Sequence, residues 1–217
     1  MSTETVALRL GAPPAVAKAI EDACIRFGIT STLQKASFIG EMSIESAGYT
    51  KVREDHRFKP ETILKLFKGR NGIQTLEQCK QIVAGGRDVI FEAIYGIPWG
   101  ISKLGNTLRG DGAKYPGRGY KMITGKDNVT RYSKWKYGDD RVVKDPTMLE
   151  RLPDAIDSGA WFWVTNNLGQ YADRKEFLKV SKGINLGNPN HSAQPLQAAE
   201  RLAATNRAIA EFAKLKG

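Results

Sequence analysis

The sequence predicts a mainly α fold: one domain over residues 1–217, built of two lobes, with the smaller lobe at roughly 57–104. Two observations predict it. Apolar residues recur at i, i+3, i+4 and i+7 along most of the chain, the period of helices that bury one face. Glycine and proline concentrate in one central stretch, Gly96 to Gly119, with seven glycines and two prolines in twenty-four residues. That stretch reads as a loop or short hairpin, kept ordered by Trp99, Ile101, Leu104 and Tyr115. No repeat, low-complexity tract or linker interrupts the rest.

In order, a first helix begins at Pro13 or Pro14, buries Val16, Ile20, Cys24 and Phe27, and stops at Gly28. Ser31 and Gln34 fit a capping box for a second helix, which carries Phe38, Ile39 and Met42 inward, delivers Glu45 and stops at Gly48. Helices follow from Pro60 to Lys68, Thr75 to Ala84 and Asp88 to Tyr95. Beyond the glycine-rich stretch come Asp127–Trp135, Pro146–Arg151 and Pro153–Asn167. In the last of these, Trp161 and Trp163 cannot share one helix side, so it is expected to be buried nearly all round. Lys175–Lys182 is ended by Gly183, a turn-rich loop covers Asn185–Asn190, and Gln194–Lys214 closes the chain. That last helix is expected to face Leu196, Ala199, Leu202, Ala203, Ile209 and Phe212 inward.

With 217 residues and 41% hydrophobic content, the chain can bury a sizeable core. It holds no apolar run long enough to span a bilayer and begins without a secretory pattern, so synthesis in a cytoplasm is expected. Two histidines and two scattered cysteines, Cys24 and Cys79, give no metal-ligand spacing, and no cofactor or metal is expected. The net charge of +10 implies anionic partners: nucleic acid, acidic lipid or a negatively charged wall. The basic residues are spread out, with no basic helix carrying interleaved stacking aromatics, which tells against nucleic acid.

Chemistry points to two acids. Glu45 follows Phe38 by seven positions and Met42 by three, so it projects from an apolar stripe near a helix C-terminus, where its ionisation is expected to be costly. Glu54 lies nine residues on, beside Arg53 and Arg57, and is expected to remain charged. One protonated and one charged carboxyl is the pairing of glycoside hydrolysis. The same pattern also fits a polar helix end followed by a surface acid. Glu41 fits either a hydrogen bond into the site or a solvent face, and Asp111 with Arg118 suits a structural brace.

The segment Gly110 to Gly125, GDGAKYPGRGYKMITG, lacks the third glycine and the GK[ST] of a phosphate loop. It suits the wall of a cleft, where missing side chains let an extended polymer approach the backbone. Gly110-Asp111-Gly112, Tyr115, Gly117-Arg118-Gly119 and Ile123-Thr124-Gly125 resemble the signature of the family 19 glycoside hydrolases, the plant-type chitinases and related bacteriophage endolysins. Ile44-Glu45-Ser46-Ala47-Gly48-Tyr49 and Val52-Arg53-Glu54 are similar to that family's two catalytic segments. With Pro60–Phe67, Trp161-Phe162-Trp163 and Ile184-Asn185-Leu186-Gly187, the likeness runs in the family's order over about residues 33 to 203.

The resemblance implies a lysozyme-like, two-lobed catalytic domain that inverts configuration. Glu45 is then the general acid, Glu54 the general base and Thr124 the hydroxyl that helps hold the attacking water, with carboxyls roughly 6.5–9.5 Å apart. Tyr115, Arg118, Met122 and Asn185 match positions associated with the sugar or its support. Ile44 replaces a histidine usual before the first glutamate, and Met122 a common glutamine. Both departures tell against chitin more than against the acid/base pair. The implied protein is a monomeric phage endolysin, made in the host cytoplasm and acting on peptidoglycan glycan strands once the membrane is permeabilised. Arg207, Lys214 and Lys216 are candidates for contact with an anionic outer-membrane surface. A chitinase and a non-catalytic basic binding module, for glycan or nucleic acid, are the alternatives.

Overall fold

The computed structural model of the chain describes residues 2–215. The fold is mainly α, as expected. Its first helices are α1 (Thr3–Arg9), α2 (Pro14–Arg26) and α3 (Thr32–Glu45). Then come α4 (Pro60–Phe67), α5 (Leu76–Ala84), α6 (Gly86–Tyr95), α7 (Trp99–Leu104), α8 (Asp111–Lys114), α9 (Lys126–Tyr137) and α10 (Arg141–Lys144). The chain closes with α11 (Asp154–Thr165), α12 (Gly169–Asp173), α13 (Phe177–Leu186) and α14 (Ala198–Lys214). Short 3₁₀ turns cover Arg70–Gly72 and Pro146–Glu150. Lys216 lies outside the described residues.

The chain divides into two compact units. One comprises Met1–Val52, Gly119–Lys121 and Leu149–Gly217; the other comprises Arg53–Arg118 and Met122–Met148. The second unit is wider than the 57–104 lobe expected from sequence, because the glycine-rich segment, α9 and α10 fold into it.

In the first unit, α3 packs along α14 with little between the backbones. A Cβ on Gly40 would stand 2.8 Å from the Thr205 backbone nitrogen. The buried face of α14 is Arg201, Ala204, Thr205, Ala208 and Phe212. This corrects the expected phase: Leu196 is 70% and Leu202 46% exposed, and Ala199 and Ala203 also face solvent. The helix is rotated to bury an arginine, which a search for apolar residues reads as a surface position.

Every residue of α11 from Asp154 to Trp163 is buried, as the tryptophan pair required. Trp163 meets Phe38 edge-on, with ring centroids 5.7 Å apart. α13 runs through Gly183, which is there for close packing: a Cβ would stand 2.5 Å from Leu168 Cδ2. The stop comes at Gly187, where φ is +72°. α1 has no counterpart in the sequence reading; Ser2 caps it by accepting from the Thr5 N–H, and it buries Thr3, Val6 and Ala7.

The second unit packs Ile63, Ile73, Cys79, Ile90 and Ile94 as its core, with Phe58, Leu64 and Phe67 around them. α5 carries the full capping box between Thr75 and Gln78. The Gly96–Gly119 segment is neither plain loop nor hairpin. It forms α7 and α8, and its pairing is limited, among the described residues, to isolated bridges of Arg118 with Arg53 and Ile123. Cys24 and Cys79 are both free and buried. No described helix is long and apolar enough to cross a membrane.

Candidate active site

The two sequence-predicted acids belong to different units, and each is set in its own cluster. Glu54 lies on the extended stretch that leaves the first unit. Its backbone N–H donates to the Gly117 carbonyl (2.9 Å), and the Gly117 N–H donates back to Glu54 Oε2 (2.9 Å). Tyr95, the last residue of α6, donates its hydroxyl to Glu54 Oε1 (2.7 Å). A Cβ at Gly117 would stand 3.2 Å from Glu54 Oε2, 3.2 Å from Met122 Cβ and 3.3 Å from Thr124 Oγ1. The carboxylate and the threonine hydroxyl therefore converge on one side-chain-free point of the loop. Thr124 holds its place by donating to the Met122 carbonyl (3.0 Å), while Asn128 donates to the Thr124 carbonyl.

The surroundings of Glu54 correct one expectation. Arg57 is committed to Asp55 through a bidentate contact, so it does not hold Glu54. Burial pushes the Glu54 carboxyl up, opposed by the Tyr95 and Gly117 donors and by the charges of Arg70 and Arg87. Arg70 Cζ stands over Trp99, 3.8 Å from the ring centroid, and 4.9 Å from that of Phe67. The Tyr95 phenol is itself pushed well up, first by burial and then by Glu54, so it remains a donor.

Glu45 is the last residue of α3, three positions before the expected glycine stop. The chain turns there through three consecutive left-handed residues, Ala47 (φ 51°), Gly48 (φ 70°) and Tyr49 (φ 63°). Ser46 fastens the turn, donating to the Met42 carbonyl (2.6 Å) and accepting from the Tyr49 N–H (3.1 Å). Two non-glycine residues in this region cost about 1–3 kcal/mol each, a strain common at functional sites.

The apolar setting expected for Glu45 is replaced by charge. Arg201 of α14 spans two carboxylates, giving Nη2 to Glu45 Oε1 and Nη1 to Glu41 Oε2, each at 2.5 Å. Its side chain is 2% exposed, against 1% for Glu41 and 10% for Glu45. Ser181 donates to the other Glu41 oxygen. Burial pushes the Glu41 carboxyl up against the pull of Arg201. Of the two readings open for Glu41, the inward one holds.

The remaining candidates are in supporting places. Tyr115 is 2% exposed and donates to the Val143 carbonyl (3.0 Å), which places it in the packing beneath the loop rather than on a sugar-facing surface. Arg118, 5% exposed, donates to the Lys114 carbonyl at 2.8 Å and pins the turn from inside. Asp111 takes Lys126 as its ion partner and caps the Thr107 and Leu108 N–H groups. Met122 sits at φ 55° beside Thr124. Asn185 accepts from the Leu196 N–H (2.9 Å), holding the loop before α14.

Sequence reasoning missed Tyr95, Arg70, Arg201 and Ser181. A tyrosine ending a helix and an arginine within a helix carry no local signature of a site. A cavity of about 940 Å³ in the second unit is lined by Arg87, Lys114 and Arg118 among others. Glu54, Tyr95 and Thr124 do not line it, so volume does not lead to the chemistry. No group of described residues has the make-up of a metal site.

No protein-family profile matches the chain. Among curated proteins it is similar to a glycosyl hydrolase family 19 domain-containing protein of Haemophilus influenzae, with 27% identity over 178 residues, 79% of this chain and 80% of the relative. That distant likeness agrees with the motif resemblance and supports a glycoside hydrolase at the level of the family.

Proposed function

We propose that the protein is an endolysin that hydrolyses β-1,4 bonds between N-acetylmuramic acid and N-acetylglucosamine in peptidoglycan, with inversion. The observation that carries the reading is the convergence of Glu54 Oε2 and Thr124 Oγ1 at Gly117, a place for a water to be oriented and deprotonated. A carboxyl pushed up by burial is a stronger base once ionised, which suits Glu54 to that task. Glu45 gives its proton to the glycosidic oxygen as the C1–O bond breaks. The water oxygen bonds to C1 from the opposite face, and its proton passes to Glu54. Arg201 fixes the Glu45 carboxyl in position. Thr124 orients the water, and Met122 and Asn185 border the sugar.

The phage role joins this chemistry to a chain of net charge +10, whose encounter with an anionic wall is favoured. In this reading the protein is a monomer that reaches the wall from the host cytoplasm after the membrane opens. Arg207 and Lys214 are exposed on α14, where they can contact an anionic membrane surface. The test is wall lysis by Glu45→Gln and Glu54→Gln, with NMR of the first product anomer and mass spectrometry of the new reducing end. Loss of lysis with retained wall binding, and an inverted product, is expected. Unchanged lysis in both variants removes the reading, and turnover of chitin but not of wall material moves it to a chitinase.

A further inference from the structure

Lys121 follows the Gly117-Arg118-Gly119-Tyr120 turn and belongs to the unit that holds Glu45. Its stem lies against α11, its Cβ 3.2 Å from where a Cβ on Gly159 would stand. Its ammonium sits 4.2 Å above the centroid of the Phe162 ring. Phe162 is 8% exposed, so one side of the cation is closed by a fixed aromatic floor. The charges of Glu45, Glu41 and Arg201 all act on it, and burial pulls its pKa down.

Three lysines of the same unit have carboxylate partners: Lys18 with Asp22, Lys179 with Glu176 and Lys214 with Glu211. Among the described residues, the Lys121 ammonium makes no hydrogen bond and no ion pair, and solvent reaches it. Arg201 takes an oxygen of each nearby acid and Ser181 takes the second oxygen of Glu41, while Glu45 Oε2 keeps no protein donor among the described residues. Lys121 is the cation of that cluster whose donors are open.

We propose that Lys121 is a carboxylate-binding residue of the site, receiving an anionic substituent carried by the sugar beside Glu45. On the hydrolase reading, on which the sugar's identity rests, that substituent is the 3-O group of a muramic acid unit. Its carboxylate is that of the free lactyl group or of the attached stem peptide. The chemistry is the same for both sources: an ammonium with its donors unfilled, over an aromatic floor, meets a carboxylate in a partly dehydrated place. The residue thereby favours anionic amino-sugar polymers over neutral ones.

Calorimetric binding with the full-length protein tests this. The probes are a peptide-free tetrasaccharide of alternating N-acetylglucosamine and N-acetylmuramic acid, the same sugar with its carboxyls reduced to alcohols, and the sugar bearing stem peptides. The wild type is expected to bind at least one carboxylate form about tenfold more tightly than the reduced sugar, as a charge-assisted hydrogen bond allows. Lys121→Met is expected to erase that difference without weakening the reduced sugar, and Lys121→Arg to keep most of it. Preference already present in the peptide-free sugar assigns the lactyl group; preference only with peptides assigns the stem. Equal binding of all three probes by the wild type overturns the proposal. So does an equal loss on all probes in Lys121→Met, which marks a structural role. Binding is read apart from turnover, so absent hydrolysis with the carboxylate preference intact sinks the hydrolase reading alone.

Discussion

Replacing Arg201 by methionine tests whether the charge cluster around Glu45 is assembled as described. Methionine keeps most of the buried stem but removes the guanidinium from two carboxylates. Glu41, 1% exposed, is then left with Ser181 as its remaining polar partner. Breaking a buried ion pair from one side costs about 3–5 kcal/mol, and in a chain of this length about 1 kcal/mol moves Tm by 2–4 °C. A fall of roughly 10 °C at pH 7.5 is therefore expected.

The sign of the pH dependence follows from Glu41. Its carboxyl is already pushed up by burial, and loss of Arg201 removes the largest opposing influence. A carboxyl raised in the folded state favours folding below its unfolded value and loses that contribution as pH rises through its folded value. The variant's deficit should therefore be largest at neutral pH and shrink toward pH 4. Equilibrium urea unfolding at the two pH values measures it, and Glu41→Gln in the same background should recover much of the loss. A deficit below about 1 kcal/mol at pH 7.5, the range of an exposed pair, refutes the reasoning. The same deficit at both pH values does so as well.

Three further outcomes are expected. Glu54→Gln should abolish turnover yet raise Tm at pH 7.5, because it removes a carboxylate whose ionisation burial opposes; the gain should vanish toward pH 4, and a lower Tm at pH 7.5 contradicts it. Gly117→Ala should lower kcat at least about tenfold with little change in the unfolding midpoint, since its Cβ would occupy the point where Glu54 and Thr124 converge; an unchanged kcat would place the reacting water elsewhere. Tyr95→Phe removes a donor that lowers the Glu54 value, so the acid limb of kcat/KM should move to higher pH, and an unmoved limb assigns it to another group.

Much of this was legible in the sequence because the relevant signals are local. Pro14, the Ser31 cap and the Thr75–Gln78 box mark helix starts through backbone donors within a few residues of each. The tryptophan pair demanded an all-round buried α11 for the same kind of reason. The setting of Glu45 was not legible, because its partner Arg201 is 156 residues away and an arginine in a helix ordinarily marks the solvent face. That single burial also explains the misjudged phase of α14. α7 and α8 were hidden by the glycines that bound them, which read as loop even where four to six residues between them close a helical turn. The partners of Glu54 were not legible either, because an arginine adjacent in sequence need not be adjacent in space: Arg57 pairs with Asp55, and Glu54 meets a phenol and an amide.

The two acids are thus held by different physics. Glu54 is surrounded by donors that keep their protons across the working range, the Gly117 amide and a phenol pushed well above its ordinary value. Nothing in contact with it titrates alongside it, so its own ionisation governs whether the water can be deprotonated. Glu45 stands in a network of charge, held by the Arg201 guanidinium, where burial raises the Glu41 carboxyl and lowers the Lys121 ammonium from their ordinary values. An acidic limb of kcat/KM that follows Glu54 alone is what this setting requires.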